Sequence, residues 1–126
     1  MVQSGLAIKT TGIDHVVIWV SDLERSKRFY IDLLGMSIAH ESRWQSFLRC
    51  GEQQLALFQV RDGAEVTSGA ELNHMALVME AANYEEVKAK LEHEGIEVTG
   101  RQGDDRCIYF DDPDGHRLQL LYLGHD

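Results

Sequence analysis

Ile13-Asp14-His15-Val16-Val17-Ile18-Trp19-Val20 is a short apolar run, rich in β-branched residues and bounded by Gly12 and Ser21-Asp22, which is the signature of a strand. Leu72-Asn73-His74-Met75-Ala76-Leu77-Val78-Met79 repeats its layout: aliphatic, short polar, histidine, apolar run. After the first run, Ser21-Asp22-Leu23-Glu24 has the form of a capping box, Leu23, Tyr30, Leu33 and Leu34 recur near helical spacing, and Gly35 offers a left-handed stop. After the second, Asn83-Tyr84-Glu85-Glu86 offers a similar cap, Tyr84, Val87 and Leu91 share a face, and Gly95 ends the helix.

Strand-like pieces follow each helix, at 44–50 and 54–60 in the first half and at 96–99, 106–110 and 118–122 in the second. The order β-α-β-β-β therefore occurs twice, in half-modules of about 12–60 and 71–123, joined by a polar connector at 61–69. The expected fold is α+β: two βαβββ modules forming a curved mixed sheet around a cleft, in one domain spanning 1–126. Asp111-Asp112-Pro113-Asp114-Gly115 is a tight turn. It sets the register of the last strand and so decides which face Gln119 occupies.

A chain of 126 residues with 44% hydrophobic and 26% charged residues can bury a core without staples. Its net charge of -9, with no Lys/Arg cluster, argues against nucleic acid and anionic membranes. No leader pattern and no long apolar segment is present, so the chain reads as cytoplasmic. Cys50 and Cys107 read as reduced core residues. His40, His93, His116 and His125 fall at expected loops or helix ends and read as solvated, and the acidic segment 85–94 as a solvent face.

Strand alternation puts His15, Val17 and Trp19 on one face and Val16, Ile18 and Val20 on the other, and groups His74, Ala76 and Val78 in the same way. On the last strand Gln119 and Leu121 alternate with Leu118, Leu120 and Tyr122. With the helices covering the aliphatic faces, His15, His74 and Gln119 turn to the concave side. A single histidine in an apolar strand is ordinarily a hydrogen-bonded core residue. Two on equivalent strands of a repeat point instead to a shared small-molecule site able to hold a divalent metal. Trp44, Phe58 and Trp19 are candidates to line an aromatic, substrate-binding pocket.

Gly12-Ile13-Asp14-His15, Ser21-Asp22-Leu23-Glu24-Arg25-Ser26 leading to Phe29-Tyr30 and Leu34-Gly35, Leu72-Asn73-His74, and the stretch from Tyr109 to Leu118 together resemble the vicinal oxygen chelate superfamily. That group contains glyoxalases, extradiol dioxygenases, fosfomycin-resistance proteins and bleomycin-binding proteins, and the resemblance runs from about Gly12 to Tyr122. It implies a metal held by His15, His74 and the last-strand position, which is Gln119 here where the family usually has glutamate. Ala56 stands at the equivalent first-half position, so the four-ligand arrangement resembling glyoxalase I is not evident. Tyr109 matches a substrate-contacting tyrosine of the fosfomycin-resistance branch.

The implied activity is that of a metal-dependent enzyme of the glyoxalase or dioxygenase type, as a lyase, isomerase, transferase or dioxygenase, acting on a small molecule with vicinal oxygens. Fe, Mn, Zn or Ni would suit such a site. No nucleotide cofactor is expected, and a homodimer is, because relatives are commonly dimeric and half-sized modules expose sheet edges. The alternative is a metal-free drug- or metabolite-binding protein of the bleomycin-resistance type, whose -9 charge would attract a cationic ligand.

Overall fold

The structure, a computed structural model, describes residues 8–67 and 71–124; His125 lies outside them, as does part of the connector. Two modules follow one another with the same element order. In the first, β1 (His15–Val20) leads to helix α1 (Leu23–Lys27), which continues as π-helical turns over Arg28–Leu33, and then to β2 (Ser37–Glu41), β3 (Gln45–Cys50) and β4 (Gln53–Gln59). In the second, β5 (Met75–Val78) leads to α2 (Tyr84–His93), β6 (Thr99–Gly100), β7 (Ile108–Asp111) and β8 (Arg117–Leu121).

The α+β class and the paired βαβββ modules stand, with one addition and one division. Strand β2 was not anticipated, because Ser37-Ile38-Ala39-His40-Glu41 is a mostly exposed edge without alternation. The curved sheet is divided into two four-stranded mixed sheets, ordered β1-β4-β3-β2 and β5-β8-β7-β6. In each, the first strand runs parallel to the last and the remaining pairs are antiparallel. Among the described residues, strands β1 and β5 thus pair on one side only.

Local chemistry explains the helix ends. Asn83 caps α2, its Oδ1 accepting from the Glu86 N–H while its Nδ2 donates to Glu86 Oε1. Asp22, rather than Ser21, caps α1 by accepting from the Arg25 N–H. Ser21 is drawn away by the second module: its backbone N–H and its hydroxyl both donate to Asp114. Gly35 and Gly95 close their helices at φ +78.

Val20, Leu48, Leu57, Ile108, Phe110 and Leu118 are fully or almost fully buried in one core drawn from both modules. Burial alternates along β1 as expected, with Ile18 and Val20 inside and His15, Val17 and Trp19 outside. On β8, Leu118 and Leu120 are buried and Gln119 is not. Both sheets therefore turn their aliphatic faces to the common core and their histidine-bearing faces away from it.

Gly100 sits at φ +103, opposite Ile108, where a Cβ would lie 2.1 Å from the Cys107 carbonyl oxygen. Gly100→Ala must separate the β6–β7 pair, and is expected to destabilise the protein by about 2 kcal/mol or more. An unchanged urea midpoint would contradict that packing.

Candidate metal centre

His15 opens β1 and His74 directly precedes β5. Each imidazole meets two neighbours of matching kind. His15 Nδ1 lies 2.8 Å from Asp14 Oδ2, and its ring packs edge-on against Phe47 with centroids 5.3 Å apart. His74 Nδ1 lies 2.8 Å from Asn73 Oδ1, and its ring packs edge-on against Tyr109 at 5.6 Å. The register explains the likeness: Phe47 pairs with Ala56 on β4 as Tyr109 pairs with Gln119 on β8, while Val17 and Ala76, two residues beyond the histidines, face Ala56 and Gln119. Ala56 is thus the register equivalent of Gln119.

The residues present fit a divalent metal in their chemistry. Asp14 Oδ2 and Asn73 Oδ1 are acceptors, which suits the tautomer with its hydrogen on Nδ1 and would leave Nε2 of each histidine to bind an ion. Gln119 Nε2 donates to the Arg106 carbonyl at 2.7 Å, which leaves Oε1 as the free end of the amide. Two imidazole nitrogens and one amide oxygen thus remain available as ligands. Among the described residues, no group of three His, Cys, Asp or Glu side chains is arranged to hold an ion within the single chain.

The structure gathers His74, Tyr109 and Gln119 on the outer face of the second sheet, and His15 on that of the first. Ring contacts continue from His15 and Phe47 to Phe58 at 5.9 Å and from Phe58 to Trp19 at 6.0 Å. Trp19, Trp44 and Phe58 line one cavity of about 440 Å³. Phe47 was missed by sequence reasoning; its signal was its place in the repeat as the counterpart of Tyr109.

His116 does not behave as a solvated loop residue. It is 6% exposed, and its Nδ1 lies 2.9 Å from Asp112 Oδ2, the oxygen that also accepts from the Tyr30 hydroxyl at 2.6 Å. Asp112 Oδ1 accepts the backbone N–H groups of Asp114 and His116. Burial alone would raise the Asp112 carboxyl, but the hydrogen bonds from His116 and Tyr30 outweigh it and hold the group below its ordinary value. The bond to Asp112 raises His116 against the opposing effect of burial. Burial, with the Asp112 charge beside it, keeps Tyr30 protonated. The π-helical turns around Tyr30 bring its ring into the core. The network locks the turn before β8 and so holds Gln119 in register. His40 lies in β2 rather than in a loop, though exposed, and His93 is exposed at the end of α2.

The chain matches the family described as Glyoxalase/Bleomycin resistance protein/Dioxygenase superfamily over residues 12–120. A metallothiol transferase, FosB, of Staphylococcus saprophyticus is 35% identical over 112 residues, spanning 86% of this chain and 74% of that protein. A glutathione transferase, FosA, of Serratia marcescens is 29% identical, spanning 86% of this chain and 78% of its own. The solved fosfomycin resistance protein FosX from Mesorhizobium loti is similar with a TM-score of 0.69 and 25% identity, over 89% of this chain and 92% of that one. The two curated relatives are enzymes by name, and transferases rather than glyoxalases or dioxygenases. Among the described residues, no helix is long and apolar enough to cross a membrane. With its repeated βαβββ order and its histidine beside the first strand of each module, this chain belongs to the glyoxalase/bleomycin resistance protein/dioxygenase superfamily.

Proposed function

We propose that this chain is a metal-dependent enzyme of the transferase type, which holds a small molecule by two neighbouring oxygens and exposes it to a thiol or similar nucleophile. The observation that carries the reading is the set of hydrogen bonds that engages Nδ1 of His15 and His74 and Nε2 of Gln119 and leaves Nε2 of each histidine and Oε1 of the amide to face a ligand. The relatives named as thiol-using transferases favour it over a lyase or dioxygenase.

The three donors lie on the outer faces of two different sheets, and pairing with a second copy would bring them together. The outward-facing histidine strands β1 and β5 are edge strands among the described residues, and they carry apolar side chains that water would otherwise cover: Val17 is 40% exposed and Val78 64%. Laying β1 of one protomer beside β5 of its partner would cover these residues, continue the two sheets into one curved surface, and oppose His15 to His74 and Gln119 of the partner subunit. The expected cleft is then a property of the homodimer.

A divalent ion bound there supplies Lewis acidity toward substrate oxygens. The protein contributes its charge balance. Two neutral imidazoles and a neutral amide leave the centre more positive than a set containing a carboxylate, which favours an anionic substrate and lacks the carboxylate of the two-histidine, one-carboxylate oxygenase sites. Tyr109, whose ring packs against His74, would donate a hydrogen bond to that substrate.

Gln119→Glu tests the balance through two opposed readouts. Divalent affinity is expected to rise, because a charged oxygen replaces a neutral one. Stability without metal is expected to fall by about 1 kcal/mol, because the donor to the Arg106 carbonyl is lost. Elemental analysis with sedimentation tests the reading as a whole: the expected result is a dimer carrying a divalent ion, and a monomer lacking metal would overturn it in favour of a metal-free binding protein.

A further inference from the structure

The cavity at the far end of β1 from His15 has an unusual charge arrangement for an acidic protein. It is lined by Trp19, Trp44, Phe58 and Arg61, with Asp62 and Glu65 at the same opening. The Arg43 guanidinium stacks 4.8 Å from the Trp44 ring and that of Arg61 5.3 Å from it. Among the described residues neither guanidinium forms an ion pair with a carboxylate, although the chain holds 21 acidic residues to 12 basic ones. Stacking holds both forks in place with their N–H edges unpaired. Trp44 already faces the chain's own cations, so Trp19, Phe58 and the unpaired Arg61 fork are what the cavity offers an occupant.

We propose that this cavity binds an aromatic ring carrying a carboxylate or similar anionic group, with the ring against Trp19 and Phe58 and the anion on Arg61. Taking the metal reading above, this identifies the substrate class: an elongated aromatic acid rather than a compact aliphatic one. The His15-Phe47-Phe58-Trp19 file of rings gives the path between the two ends. Trp19 lies four positions beyond His15 along β1, on the order of 13 Å at the usual strand rise, so the molecule's metal-binding oxygens lie about that far from the ring in the cavity.

The chain has two tryptophans and both line this cavity, so intrinsic fluorescence reads its occupancy. The probes are 3-phenylpropanoate, 3-phenylpropanol and 3-phenylpropylammonium, titrated into the full chain after treatment with chelator. The acid is expected to change the fluorescence saturably and to bind roughly tenfold more tightly than the alcohol, the difference expected for one charge-assisted hydrogen bond. Arg61→Met is expected to erase that preference and Arg61→Lys to keep part of it. Because Arg61 is exposed, neither change threatens the fold. The proposal is overturned if the ammonium probe binds as well as the acid, if the acid leaves the fluorescence unchanged, or if Arg61→Met binds it as well as the parent does. Working without metal separates the two readings: an empty metal site leaves this titration unaffected, and an empty cavity leaves metal content unaffected.

Discussion

His74→Ala is expected to abolish divalent-metal binding while leaving the protein folded. The side chain is exposed and its contacts are the Asn73 amide and the edge of the Tyr109 ring, so its removal should cost less than about 1 kcal/mol of stability. The loss at the site is far larger, because one imidazole nitrogen of three ligands is gone and neither Asn73 nor Tyr109 can replace it. His15→Ala is expected to act in the same way, since Asp14 and Phe47 stand to His15 as Asn73 and Tyr109 stand to His74. Metal content after dialysis, read beside the denaturation midpoint, checks both variants. Full metal retention by either would remove that histidine from the site.

Asp112→Ala is expected to give the largest loss of stability. It strands the Tyr30 hydroxyl, the His116 ring and two backbone N–H groups in the core. Removing one partner of a buried, hydrogen-bonded pair costs about 3–5 kcal/mol. The same network sets a pH window. His116 lies above its ordinary value, so its contribution is complete below about pH 6.5 and is lost as pH rises through the raised value. Asp112 lies below its ordinary value, so its contribution is complete above about pH 4 and is lost as pH falls through the lowered value. The stabilisation is greatest between those limits. His116→Phe should flatten the alkaline side of the stability profile, and an unaltered profile would show that the pair does not titrate with folding.

What could be read from the sequence was local. The alternation 16-18-20 against 15-17-19 needs no knowledge of the partner strand, and the burial along β1 follows it residue by residue. Gly35, Gly95 and the Asn83 cap act through their own neighbours and were equally legible. Features decided by distant partners were not. Ser21 has every attribute of a helix cap, but Asp114, 93 residues away, takes its N–H and hydroxyl, and Asp22 does the capping. His116 sits in a polar turn and becomes buried because Tyr30, from the other module, meets Asp112 across 82 residues. Strand β2 lacked a pattern because an exposed edge requires none.

The candidate site divides along the same line. His15 and His74 stand out from the repeat, Gln119 from the alternation of the last strand and the family resemblance, and Trp19, Trp44 and Phe58 from their chemistry. Phe47 emerges only once the register places it opposite Ala56. That the two histidine faces turn away from a common core depends on how the modules pack, which strand patterns alone do not encode.

Mixing the two histidine variants tests most directly whether the site is shared between protomers. His15→Ala and His74→Ala chains are each expected to bind no metal alone. Unfolded together in equal amounts and refolded, about half the dimers should be mixed, and each mixed dimer should carry one intact site, built from His15 of one chain and His74 and Gln119 of the other. Recovery of about a quarter of the parent metal content is therefore expected. No recovery from a mixture shown to contain mixed dimers would contradict a site shared between two chains.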